Sequence, residues 1–90
     1  MRTILLADDD EDVRAVFRMR LERLPHRVLE AANGTLALEL TRRERPDLLV
    51  LDWTMPGLSG IEILKALRQD PRTANIPVIM LSGKEGGSEH

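Results

Sequence analysis

Residues 47–52 read DLLVLD, four apolar residues in an unbroken run between two aspartates. A strand with one face in water alternates apolar and polar residues, whereas a strand covered on both faces does not. DLLVLD is therefore read as a buried strand of a parallel sheet. Working outward, TILLA (3–7) and PVIML (77–81) carry the same pattern, and RVLEA (27–31) a weaker one. The stretches between them have helical periodicity. DVRAVFRMRLERL (12–24) places Val13, Val16, Phe17 and Leu21 at helical spacing and is closed by Pro25. TLALELTRRE (35–44) puts Leu36 and Leu40 on one face before Pro46, and IEILKALRQ (61–69) does the same with Ile61, Leu64 and Leu67. NG (33–34), TMPGLSG (54–60) and DPRTANI (70–76) are turns and loops. The order is β-α-β-α-β-α-β. Helices between buried strands imply parallel crossover units, so the sequence predicts a doubly wound α/β sheet in a single domain, residues 1–90.

Composition excludes several function classes. Ninety residues make one domain, and the net charge is -2. The arginines are scattered among acids and apolar residues, and no basic stretch tracks a nucleic-acid backbone, so a nucleic-acid partner is not expected. There is no cysteine, which removes disulfides and thiolate metal sites. No run approaches the roughly 18 apolar residues of a membrane span. A cytoplasmic protein with no membrane partner is expected. With one Trp, one Phe and no Tyr, the core is aliphatic.

Doubly wound sheets bind ligands at the carboxyl ends of their strands. There the first strand carries Asp8, Asp9 and Asp10, the third carries Asp52, and the fourth carries Ser82. Asp10 also suits a helix N-cap, and we assign it mainly to that role. Asp8, Asp9 and Asp52 are carboxylates with no His or Cys beside them, a donor set suited to a hard cation such as Mg²⁺. A cation also relieves the repulsion among them. A carboxylate can act as a nucleophile toward phosphorus, giving an aspartyl phosphate, and Ser82 could then hydrogen-bond a phosphoryl oxygen. Trp53 packs at the rim of this site. His26 is read as a solvated loop residue.

ILLADDDEDVR (4–14), LLVLDWTMPGLSG (48–60) and PVIMLSGK (77–84) resemble, in order and spacing, the receiver domain of two-component response regulators. The most specific element is D-x-x-M-P-G-x-x-G, residues 52–60. The resemblance implies a flavodoxin-like fold with strand order 2-1-3-4. It implies that Asp52 accepts a phosphoryl group from a histidine kinase or phosphotransfer protein. Asp8 and Asp9 would hold Mg²⁺ with Asp52, directly or through water, and the backbone carbonyl of Thr54 would be a further ligand. Ser82 would be the switch hydroxyl, the Thr54 side chain would tune dephosphorylation, and an output domain or protein would read the switched surface.

The family has five β-α units with a lysine ending the fifth strand. The resemblance covers four strands, and Lys84 lies in the loop after Ser82. The expectation is an incomplete receiver, phosphorylated slowly or not at all. PVIML would be an exposed edge strand open to self-association or domain swapping. Two other classes stand beside this reading. One is a receiver-like interaction module that is never phosphorylated. The other is a phosphohydrolase with an aspartyl nucleophile, which haloacid-dehalogenase-like chemistry makes less suitable, because Thr54 stands where a second Asp would serve as general acid. A turnover enzyme is not expected.

Overall fold

Leu5 lies between Leu29 and Leu49 in a parallel sheet, and that register organises the rest of the chain. The computed structural model describes residues 2–53 and 55–81. They form β1 (Arg2–Ala7), α1 (Glu11–Leu21), β2 (His26–Ala31), α2 (Gly34–Glu44), β3 (Leu48–Asp52), α3 (Gly60–Gln69) and β4 (Val78–Leu81). The strands pair in the order β2-β1-β3-β4, all parallel. This is the doubly wound α/β architecture and strand order expected from the sequence. Among the described residues no helix is long and apolar enough to cross a membrane.

Successive strand residues point to opposite faces, which splits the apolar runs between two layers. Leu5, Ala7, Leu49 and Leu51 face α2 and α3 and pack with Ala37, Met55, Ile63 and Leu67. Ile4, Leu6 and Val50 face the α1 side, where Phe17, Leu21, Leu48 and Leu81 pack on them. Each helix starts on a polar cap. Asp10 accepts from the Asp12 and Val13 amides, Asn33 from the Leu36 amide, and Ser59 with Glu62 forms a reciprocal capping box.

Two expectations about α1 need correction. The helix ends at Leu21 rather than Leu24. The residue before a proline is pushed out of the helical region, so Leu24 ahead of Pro25 turns instead, its amide donating to the Leu21 carbonyl. Second, Val16 does not join the buried stripe and is 52% exposed. Arg14 and Arg18 both reach Glu30 on β2. That rolls α1 toward β1 and β2, so Phe17 and Leu21 meet the sheet while Val16 rolls away from it.

Candidate functional site

β1 delivers its carboxyl end into a fixed loop. The Asp8 amide donates to the Ala31 carbonyl at 3.1 Å, extending the β1–β2 ladder by one bond. The Asp10 amide donates to Asp8 Oδ1 at 2.9 Å. Asp10 then caps α1, as its position beside a helix start predicts. The chain thus turns from strand to helix within three residues, leaving Asp8 buried and Asp9 exposed.

Asp52 is the last residue of β3 and is buried. Directly after it the Trp53 amide donates to the Leu81 carbonyl at 2.9 Å, and the Trp53 carbonyl accepts from the Gly60 amide at 3.0 Å. The ladder and the start of α3 therefore clamp Asp52 from both sides. Between them the loop turns back at Gly57, whose φ of +86° suits a residue without a Cβ. The Pro56 carbonyl accepts from the Gly34 amide, docking the loop on the start of α2.

The two adjacent strand ends bring Asp8, Asp9 and Asp52 together, with one carboxylate oxygen from each within 4.8 Å of the others. All three donors are anionic oxygens, and the set offers no nitrogen or sulfur, so it fits Mg²⁺ and other hard divalent cations. Trp53 is half-exposed next to this cluster in the chain. Thr54 and Ser82, the remaining site residues expected from the sequence, lie outside the described residues, as does Lys84. His26, read from sequence as a loop residue, instead begins β2 opposite Arg2.

A family model for the response regulator receiver domain matches residues 4–89. The chain belongs to the response regulator receiver family. It is 41% identical over 83 residues to the phosphate regulon transcriptional regulatory protein PhoB of Pseudomonas aeruginosa, a match covering 92% of this chain and 36% of PhoB. It is 38% identical over 82 residues to the chemotaxis protein CheY of the same organism, covering 90% of this chain and 66% of CheY. Among solved structures, the N-terminal domain of a response regulator receiver protein from Methanoculleus marisnigri JR1 superimposes with a TM-score of 0.83 at 39% identity. That superposition covers 89% of this chain and 65% of the other. The chain thus spans about a third of PhoB and about two thirds of CheY. Receiver domains are phosphoacceptor signalling modules of two-component systems, not turnover enzymes.

This receiver has one site feature that the sequence did not suggest. Arg14 donates from Nη1 to the Asp8 carbonyl at 2.8 Å and from Nε to Glu30 Oε1 at 3.2 Å. Arg18 Nη1 takes the other Glu30 oxygen at 2.7 Å. The hydrogen bond from Arg18, followed by that from Arg14, holds the Glu30 carboxyl below its usual value, against the opposing pull of burial. Arg14 and Glu30 lie 16 positions apart on different elements, and Arg14's other acceptor is a backbone carbonyl. Neither contact leaves a mark in the local sequence pattern.

Proposed function

We propose that this receiver accepts a phosphoryl group on Asp52 from a histidine kinase or phosphotransfer protein, with Mg²⁺ held at the same centre. The observation that carries the reading is the convergence of the Asp8, Asp9 and Asp52 carboxylates within 4.8 Å in a chain of the receiver family. A carboxylate oxygen of Asp52 forms the new bond to phosphorus as the bond from phosphorus to the donor nitrogen breaks. The strand and helix contacts on either side of Trp53 hold Asp52 for that attack, which is the positioning that phosphoryl transfer chiefly requires. Asp8, Asp9, Asp52 and the backbone carbonyl of Thr54 would hold the cation, directly or through water, and it would offset the charge gathering on the phosphoryl oxygens.

Ser82, one residue beyond β4, then hydrogen-bonds the phosphoryl group and changes the surface that a downstream output domain or protein reads. The Thr54 side chain tunes how fast the phosphoryl group is lost. Residues 1–90 act as a single, incomplete receiver domain in the cytoplasm, with no part in binding nucleic acid or membrane. β4 is one of the two edge strands of the described sheet and exposes Ile79, which makes it the place where a second copy would pair.

The test is intact-mass analysis after exposure to a small phosphodonor with and without Mg²⁺. The reading expects a slow gain of one phosphoryl group that requires Mg²⁺ and is lost in Asp52→Asn. Equal labelling of wild type and Asp52→Asn would assign the phosphoacceptor elsewhere. No labelling of the wild type, with Mg²⁺ bound, would favour an interaction module instead.

A further inference from the structure

Arg14 joins the acidic centre to an anchor behind it. Its side chain is only 15% exposed, and its hydrogen bonds to Glu30 on β2 and to the Asp8 carbonyl run in different directions. Glu30 is itself fixed, opposite Leu6 in the sheet register and paired a second time by Arg18. A guanidinium is planar and presents its donors in a rigid fork. With Nε held by Glu30, the direction of Nη1 is set. The group it meets, the Asp8 carbonyl, belongs to the planar peptide that leads into Asp9. The orientation of that peptide decides where the Asp9 carboxylate emerges.

We infer that Arg14 is a positioning residue for the cation site. Anchored by Glu30, it holds the Asp8–Asp9 peptide so that the Asp9 carboxylate joins those of Asp8 and Asp52. The inference rests on the cation reading proposed above. Charge and geometry predict opposite signs here, which makes the idea testable. If Arg14 acted only as a positive charge near a cation site, removing it would tighten Mg²⁺ binding. If it acts by holding the peptide, removing it weakens binding.

The experiment is isothermal titration of Mg²⁺ into the full chain and into Arg14→Met, Arg14→Lys and Arg18→Met, with a thermal melt of each. Arg18→Met breaks an ion pair to the same Glu30 without touching Asp8, so it reports the cost of a loosened α1 alone. Arg14→Lys keeps the charge but loses the fork. The positioning role predicts Mg²⁺ binding about tenfold weaker in both Arg14 variants, the lower end of what second-sphere losses cost a metal site. Arg18→Met should bind within about twofold of wild type, because the peptide before Asp9 is undisturbed. Should Arg14→Met fail to fold, Arg14→Lys carries the comparison. Wild-type affinity in a folded Arg14 variant, tighter binding in Arg14→Met, or an equal loss in Arg18→Met would each overturn the role. A wild-type chain that takes no Mg²⁺ would instead remove the cation reading, and this role with it.

Discussion

Asp8, directly after β1, and Asp52, at the end of the adjacent parallel β3, are 4% and 6% exposed and bring carboxylate oxygens within 4.8 Å of one another. Two unit charges about 4 Å apart repel by about 4 kcal/mol at an effective dielectric constant of about 20. Their other contacts offset part of this. Asp52→Asn should therefore stabilise the metal-free protein by about 1–2 kcal/mol, less than the bare Coulomb figure. Urea unfolding in a chelator measures it. Addition of Mg²⁺ should narrow or reverse the difference, because wild type gains binding energy that the variant loses. A variant less stable than wild type without metal would show that the carboxylates do not strain each other.

The close approach of helix starts to the site loop gives a ranked pair of substitutions. A Cβ at Gly34 would lie 2.0 Å from the Leu58 carbonyl oxygen, against backbone. At Gly60 it would lie 2.8 Å from the Asp52 carbonyl oxygen and 2.8 Å from Met80 Sδ, the latter on a flexible side chain. Gly60→Ala should cost about 1–3 kcal/mol, the usual range for overpacking, and Gly34→Ala more. Chemical denaturation should return that order. Because the added Cβ would press on the Asp52 carbonyl, the alanine variant should also weaken Mg²⁺ binding.

The capping box at the start of α3 is accessible to a simple stability test. Ser59 Oγ accepts from the Glu62 amide at 3.2 Å, and Glu62 Oε1 accepts from the Ser59 amide at 2.9 Å. Ser59→Ala should cost about 1 kcal/mol, a typical N-cap loss. The melting temperature should fall accordingly, and an unchanged one would mean that the box contributes nothing in solution.

Stability should depend on pH through Glu30. Its carboxyl titrates below the ordinary value of 4.5, first because of Arg18 and then Arg14. The group's contribution is thus complete above the unfolded value and is lost as pH falls through the lower, folded one. Thermal melts from neutral pH down through the carboxylate range should show a shallower acid decline for Glu30→Gln than for wild type. Parallel declines would place the acid sensitivity in other carboxylates.

The sheet was legible because its strands are unbroken apolar runs, and a run such as DLLVLD has few alternatives. The acidic centre was legible for a related reason. Once the strands are parallel, Asp8, Asp9 and Asp52 must lie at one end of the sheet, whatever the details of packing. The roll of α1 was not legible. Val13, Val16, Phe17 and Leu21 span a wide arc of the helix, and the choice of which part meets the sheet is made by Arg14 and Arg18 finding Glu30. Arg14's grip on the Asp8 carbonyl was equally hidden, since every residue has a carbonyl and none announces its partner.

The most direct test of the account is Trp53 fluorescence during a Mg²⁺ titration of wild type beside Asp9→Asn and Asp52→Asn. Trp53 follows Asp52 in the chain and is half-exposed at the rim, so it is placed to report a cation held by the three carboxylates. The account predicts a saturable change in wild type that shifts to higher Mg²⁺ concentration in both variants. A change that saturates at the same concentration in all three proteins would contradict it, since the ion would then be bound without Asp9 and Asp52.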